Sequence, residues 1–154
     1  MLEMCIKAGI SVEELLCMVI LMIESYYDLK YQRIPVRLLC LSGLAAVVYS
    51  AILQREVYVS CIMGACVGAF LLLLGKITKE GIGYGDGITF MLSGMLLGFR
   101  KNVLLLCVSL LLSAVFSIVL LVVKKGNRKT TFPFIPCVLI ADVIVMFCGG
   151  WDIE

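Results

Sequence analysis

Long apolar stretches alternate with short charged segments along most of the 154 residues. A bilayer-spanning helix takes roughly 20 mostly apolar residues, so a chain of this length has room for about six. We therefore predict an all-α, polytopic membrane protein with six transmembrane helices in one bundle. The predicted spans lie near residues 12–27, 36–53, 57–77, 87–98, 102–123 and 132–150.

The connections between these predicted spans are short, and no internal repeat of fixed period divides the chain. We expect residues 1–154 to form a single membrane-embedded domain. The fifth span is the clearest because 103–123 contains no charged residue, whereas Glu24 interrupts the first span and the fourth is short. Any chemistry must then be carried by the membrane helices and their short connections.

The composition agrees with a membrane protein and narrows the chemistry. Apolar residues make up 62% of the chain and charged residues 16%, against about half and a quarter in soluble domains. The net charge of +2 and the absence of a long basic run exclude a nucleic-acid partner. Because histidine is absent, acid–base work falls to carboxylates, and no metal or organic cofactor is expected.

Lysine and arginine fall mainly on one side of the predicted bundle, which indicates its orientation. Nine of the 13 basic residues follow spans one, three and five, and cytoplasmic loops carry such an excess. We expect a multi-pass protein of the cytoplasmic membrane with both termini outside. Asp28 at the end of span one and Asp86 at the start of span four then share the cytoplasmic face.

Two pairs of glycines predict close helix packing. Gly64 and Gly68 in span three, and Gly94 and Gly98 in span four, have the small-xxx-small spacing that lets membrane helices approach each other. The favoured interpretation is packing within one chain. The alternative is a contact in a homodimer.

Glycine alternates with other residues from 81 to 87, directly before the fourth predicted span. This segment is not a dinucleotide loop, because Asp86 takes the place of the third glycine of that motif and no strand precedes it. Glycines here let an extended peptide approach the backbone. The alternative is a simple turn in which Asp86 caps the following helix.

The segment after span one carries Asp28, a basic loop and Ile34-Pro35. An acid at a helix end is by itself unremarkable, but Asp28 and Asp86 are expected at the same depth. Two carboxylates held close together do not both ionise easily, so one keeps a proton. Aspartic proteases use such a pair to activate water and to protonate the leaving amine.

Together these two motifs resemble those of the type IV prepilin peptidases. In that family an acid is followed shortly by Ile-Pro, as with Asp28 and Ile34-Pro35, and a second acid ends a Gly-x-Gly-Asp motif, as in 83–86. The stretch 132–136, Phe-Pro-Phe-Ile-Pro, looks like the family's proline-containing lead-in to its last helix. The resemblance covers roughly residues 20–145.

The resemblance implies a role for each motif residue. Asp28 and Asp86 would be the catalytic acids, and Gly83, Tyr84 and Gly85 would form the loop that presents Asp86. Ile34 and Pro35 would support the first motif. The sequence departs from residues common in the family at Val36 and Thr89, near the two motifs.

The implied activity is that of an intramembrane aspartic endopeptidase. It would remove the short basic leader of a prepilin or pseudopilin precursor at the cytoplasmic face of the membrane. The sequence has no CxxC pairs, so we expect cleavage without N-methylation, as in the short members that serve tight-adherence (Flp) pili. Expected partners are the precursor, membrane lipid and the pilus assembly machinery.

Two further acids, Glu24 and Asp142, fall inside predicted spans, where ionisable groups are costly and often functional. Glu24 precedes Asp28 by four residues, which places both on one helix face. Glu24 is therefore a candidate to orient Asp28. Asp142 either faces a cavity beside the active site or pairs with another helix.

Other classes of protein fit some of these residues. A small ion or solute transporter would use Glu24, Asp28, Asp86 and Asp142 along a path, but it would not require Gly-x-Gly-Asp or Ile-Pro. A presenilin-like or signal-peptide-peptidase-like protease also carries Tyr-Asp and Gly-x-Gly-Asp, but it has more spans. A third alternative is an inactive relative that acts as an assembly scaffold.

Overall fold

A computed structural model of the chain describes residues 11–31, 35–53, 58–78, 83–123 and 134–147. Within these residues the secondary structure is entirely α-helical, as predicted. The helices are α1 (Val12–Tyr31), α2 (Val36–Leu53), α3 (Tyr58–Ile77), α4 (Tyr84–Val123) and α5 (Ile135–Phe147).

Two of the described helices are long and apolar enough to cross a membrane, at Val59–Ile77 and Tyr84–Leu120. Arg37–Ile52 and Ile135–Phe147 are apolar but shorter. These helices indicate a membrane protein. The arrangement with six spans stays a prediction.

Helix α4 covers both the fourth and the fifth predicted span, and it turns back on itself at Gly98. The backbone there has φ 77° and ψ −179°, a conformation that favours glycine. Asn102 Nδ2 lies 3.1 Å from the Phe90 carbonyl oxygen, although twelve residues of straight helix extend about 18 Å. The two limbs of α4, 84–97 and 99–123, are therefore antiparallel, and one residue replaces the predicted loop between them.

Glycines pack α3 tightly against the first limb of α4. A methyl group built on Gly64 would lie 2.3 Å from the Gly94 carbonyl oxygen, and one on Gly68 would lie 2.1 Å from the Met91 nitrogen. Only glycine lets these backbones come so close. The predicted packing of these glycines within one chain is confirmed.

Local capping interactions fix where the helices begin. The N–H of Ser11 donates to Glu14 Oε2 at 3.0 Å, which is half of a capping box at the start of α1. The carbonyl of Gly83 accepts from the N–H of Asp86, so Gly83 and not Asp86 caps α4. The alternative in which Asp86 is the N-cap is therefore wrong.

The helix ends differ from the predicted spans in a way that matters for the acids. Helix α1 continues to Tyr31 and α4 already begins at Tyr84. Asp28 therefore lies inside the last turn of α1, and Asp86 is the third residue of α4. Residues 132–133 and 148–150 of the sixth predicted span lie outside the described residues.

Polar side chains lie inside the bundle and many apolar ones lie outside it. Glu24 and Asn102 are fully buried, whereas Ile52 and Leu111 are 69% and 68% exposed. An apolar outer surface with polar groups turned inward is what a lipid environment favours. The interior also holds an apolar core, which includes Leu21, Ala46, Phe90, Leu96, Leu105, Val138 and Ala141.

Candidate active site

Asp28 is held between α1 and the start of α5. Its Oδ2 atom accepts a hydrogen bond from the backbone N–H of Ile135 at 3.3 Å. Asp28 lies just beyond the predicted span 12–27, and burial raises the pKa of its carboxyl above the ordinary value, which the Ile135 N–H partly opposes. The carboxyl group is therefore held in place while keeping an increased affinity for a proton.

Asp86 is held by the turn that begins α4. The backbone of Gly83 hydrogen-bonds to its carboxylate, so the residue that caps the helix also fixes the acid. A methyl group built on Gly83 would lie 3.0 Å from Asp86 Oδ2, which is a tight contact. The glycine in the first half of Gly-x-Gly-Asp thus leaves room for the carboxylate.

The fold places Asp28 and Asp86 on different helices at the same end of the bundle. The negative charge of Asp28 acts on the carboxyl of Asp86, which places the two groups within electrostatic range. Among the described residues, neither acid has a lysine or arginine within salt-bridge distance. We call this pair, with Gly83 and Ile135, the active-site end of the bundle.

Glu24 lies one helical turn before Asp28 and is fully buried. Its Oε2 accepts a hydrogen bond from Thr89 Oγ1 at 2.7 Å, and its Oε1 accepts one from Ser42 Oγ at 3.2 Å. Thr89 follows Asp86 by three residues on α4, and Ser42 belongs to α2. Glu24 therefore connects α1, α2 and α4 about one helical turn further into the bundle than the two acids.

Asp142 is placed away from the two acids. It lies seven residues after Ile135 on α5, about 10 Å along the helix, and it is within electrostatic range of Glu14. Its Oδ2 atom is buried and has no hydrogen-bond partner among the described residues. One of the two roles that the sequence suggested for Asp142 is to face a cavity beside the active site. Its position does not favour that role.

The structure describes the remaining motif residues only in part. Pro35 directly precedes α2, and its carbonyl accepts from Leu38 and Leu39. Tyr84 and Gly85 form the first turn of α4, with Tyr84 half exposed. Ile34 lies outside the described residues.

Sequence reasoning missed three contributors to this site. It did not single out Ser42, it treated Thr89 only as a departure from a family pattern, and it did not foresee that the Ile135 N–H would contact Asp28. A signal for Thr89 was present, because Glu24–Asp28 and Asp86–Thr89 are both spaced by one helical turn. No comparable signal pointed to Ser42.

The site consists of carboxylates, hydroxyls and backbone amides. In the part of the chain that the structure describes, no three Asp, Glu, Cys or His side chains are grouped to hold a metal ion. Carboxyl groups on neighbouring helices are the kind of groups that can act as general acid and general base.

Comparison with known proteins places this site in a family. The sequence profile of the type IV leader peptidase family matches residues 15–118, which include both acids. No solved structure matches the chain.

Three curated relatives are named prepilin leader peptidase/N-methyltransferase. The Aeromonas salmonicida protein (strain A449) is 36% identical over 53% of this chain and 27% of its own length. The Bacillus subtilis protein (strain 168) is 27% identical over 94% of this chain and 60% of its own length. The Legionella pneumophila protein is 30% identical over 88% of this chain and 49% of its own length.

The chain thus spans between about a quarter and three fifths of the length of these relatives. The profile match extends over more than half of the chain and contains Gly-x-Gly-Asp as well as Asp28. The family predicted from the two motifs is confirmed: the chain belongs to the type IV leader peptidase family.

Proposed function

We propose that this protein is an aspartic endopeptidase that removes the leader from prepilin-like precursors. The observation that carries the proposal is the 2.7 Å hydrogen bond from Thr89 to Glu24, which joins α4 to α1 one helical turn from each acid and so keeps Asp28 and Asp86 at the same end of the bundle. Membership of a peptidase family supports this reading over the transporter, presenilin-like and scaffold alternatives.

The reaction uses the two carboxyl groups in complementary protonation states. The ionised carboxylate takes a proton from water as the water oxygen attacks the scissile carbonyl carbon. The protonated carboxyl donates a hydrogen bond to the carbonyl oxygen and then supplies the proton that the leaving amine needs. The C–N bond breaks, and the acid pair returns to one shared proton.

The substrate class follows from the relatives' names and from the surface around the acids. The relatives are called prepilin leader peptidases, and in this chain both acids lie at the same end as Lys30 and Lys76. We propose that this end faces the cytoplasm, in line with the excess of basic residues there. A leader on the cytoplasmic side of a prepilin would reach it without crossing the membrane.

We further propose that this chain cleaves without methylating the new N-terminus. The curated relatives also carry N-methyltransferase in their names, and the 154 residues contain no CxxC pair. Mass spectrometry of the processed pilin tests this point, because a methyl group adds 14 Da to the N-terminal peptide. An unmodified N-terminus is expected, and a methylated one in a host without another methyltransferase would contradict it.

The peptidase proposal is tested by co-expression with candidate type IV prepilin precursors. Leader removal is scored by gel shift for the intact protein and for Asp28→Asn and Asp86→Asn. We expect processing by the intact protein and none by either variant, because each carboxyl has a separate role in proton transfer.

Asp142→Asn is the control, since Asp142 is another acid inside the bundle, 2% exposed, and lies about two helical turns from Ile135. It should process the precursor normally. Processing that survives either Asp28→Asn or Asp86→Asn, with equal amounts of protein in the membrane, would overturn the two-acid mechanism.

A further inference from the structure

A buried polar cluster links the helices that carry the two acids. It consists of Glu24 on α1, Thr89 on α4 and Ser42 on α2, and their exposed fractions are 0%, 2% and 8%. Thr89 Oγ1 donates to Glu24 Oε2 at 2.7 Å, the shorter of the two bonds. A fully buried carboxyl group is costly unless its oxygens are satisfied, so the cluster holds its members in one arrangement.

The cluster lies one turn inside the bundle from both acids. Glu24 precedes Asp28 by four residues on α1, and Thr89 follows Asp86 by three residues on α4. Both intervals correspond to about one helical turn, or roughly 5 Å along each axis. The Thr89–Glu24 bond therefore joins α1 to α4 at the level directly beneath the pair.

Ser42 links α2 to this cluster through a longer hydrogen bond. Its hydroxyl lies 3.2 Å from Glu24 Oε1 and also 3.2 Å from the Leu39 carbonyl oxygen of its own helix. One hydroxyl proton is thus shared between two acceptors. The bond from Thr89 is the stronger link, and it is the one that spans the two acid-bearing helices.

We propose that the Glu24–Thr89 hydrogen bond is a positioning device that sets the separation of Asp28 and Asp86 for catalysis. This inference rests on the proposed peptidase function. Neither Glu24 nor Thr89 contacts the substrate in this account. They act by fixing two helices, so their loss lowers the rate of the chemical step and leaves substrate binding unchanged.

The test compares two substitutions of Thr89 in purified protein acting on an intact prepilin in liposomes. Thr89→Val keeps the shape of the side chain but removes the hydroxyl, and Thr89→Ser keeps the hydroxyl. We expect Thr89→Val to lower kcat at least about tenfold with KM unchanged, because small misplacements of reacting groups cost this much or more. Thr89→Ser should restore kcat to nearly the original value.

Ser93→Ala is the matched control on the same helix. Ser93 is also buried and donates a bond of similar length between the two limbs of α4, 2.8 Å to Asn102 Oδ1, but it lies further from Asp86. It should leave kcat unchanged. Equal losses in Ser93→Ala and Thr89→Val would overturn the proposal by showing that any broken buried bond slows the enzyme.

The double variant Glu24→Leu/Thr89→Val separates positioning from stability. Replacing both partners of a buried hydrogen bond by apolar groups costs little stability, so this chain should accumulate even if Thr89→Val alone does not. We expect kcat to stay low. Recovery of kcat in the double variant would overturn the proposal, because packing alone would then be sufficient.

The same assay distinguishes this inference from the peptidase function itself. Asp28→Asn and Asp86→Asn are measured in parallel. If both are inactive and Thr89→Val is fully active, only the positioning role fails. If either acid variant remains active, the proposed mechanism fails first.

Discussion

The two ends of the bundle both contain acids, but the acids have different partners. At the active-site end, Asp28 and Asp86 receive hydrogen bonds from backbone N–H groups. At the far end, which we define by Glu14, Lys101 and Asn102, Glu14 forms a 2.6 Å ion pair with Lys101. The charge of Glu14 is therefore balanced by a cation, whereas neither Asp28 nor Asp86 has a cation within salt-bridge distance among the described residues.

Asn102 strengthens this contrast. Its amide nitrogen donates to the carbonyls of Gly64 and Phe90, and its Oδ1 accepts from Ser93. These bonds hold the reversed limbs of α4 to each other and to α3. Satisfied polar groups stabilise a structure, and both Glu14 and Asn102 are satisfied. We therefore expect substitutions at the far end to change the amount of folded protein. Substitutions at the active-site end should change the rate of leader removal.

Gly94→Ala should have the largest effect on the far end. The added methyl would lie 2.2 Å from the Gly64 carbonyl oxygen, and backbone atoms cannot move aside without separating α3 from α4. We expect little folded protein in the membrane, measured by size-exclusion chromatography of a fluorescent fusion. Gly43→Ala, whose methyl meets only Leu92 Cδ2 at 3.4 Å, is the control and should accumulate normally. Normal amounts of Gly94→Ala would contradict the close packing.

Gly83→Ala should have the largest effect on rate. Its methyl would lie 3.0 Å from Asp86 Oδ2 and would displace the carboxylate from its place beside Asp28. We expect leader removal to fall on the order of 10- to 100-fold, with accumulation unchanged. Cleavage by equal amounts of purified protein is the measurement, and an unchanged rate would show that this glycine does not serve Asp86.

The rate should also depend on pH, because the reaction needs one protonated carboxyl. Burial raises the pKa of Asp28 above its ordinary value of 3.8, so the proton is kept to higher pH than in an exposed acid. As the pH rises through this raised pKa, the proton is lost and cleavage should decline. This decline in the pH–rate profile belongs to the coupled pair of acids and not to one acid alone. A rate that is flat from acidic to alkaline pH in liposomes would contradict a shared proton.

Lys101→Met should affect stability more than rate. It leaves Glu14 buried without its cation, but the lysine side chain is 28% exposed, which weakens the pair relative to a fully buried one. We expect a loss of about 2 kcal/mol or less in the free energy of unfolding, seen as a lower Tm in detergent. Glu14→Gln/Lys101→Met should regain part of it. A fall in cleavage per folded molecule would contradict this prediction, because the far end would then also affect the rate.

Asp142→Asn should have the smallest effect of all. Asp142 Oδ2 is buried without a partner among the described residues, so removing its charge removes a cost of burial. We expect unchanged cleavage and an equal or higher Tm. A clear loss of cleavage would instead link this acid to the chemistry.

The sequence predicted the candidate acids and one close helix contact. The two motifs identified Asp28, Asp86 and the family, because Gly-x-Gly-Asp and Asp with Ile-Pro are local patterns. The small-xxx-small spacing of Gly64 with Gly68, and of Gly94 with Gly98, predicted a close helix contact. Glu24 was a candidate because its spacing from Asp28 corresponds to one helical turn.

The sequence did not predict contacts between segments far apart in the chain. Glu24 and Thr89 are 65 residues apart, and Glu14 and Lys101 are 87 apart, so only the fold brings each pair together. The turn at Gly98 was also missed, since a glycine inside an apolar run does not by itself reveal a positive φ. The hydropathy pattern instead predicted a short loop around Arg100 and Lys101.

If Asp28 and Asp86 act as one catalytic unit, as we propose, single and double variants should differ little in activity. Purified protein in liposomes is given intact prepilin, and the initial rate of leader removal is measured for Asp28→Asn, Asp86→Asn and the double variant. Groups that act together lose nearly all activity when either is removed. We expect each single variant to fall to the rate of the double variant. A single variant that keeps measurable activity above the double would contradict it.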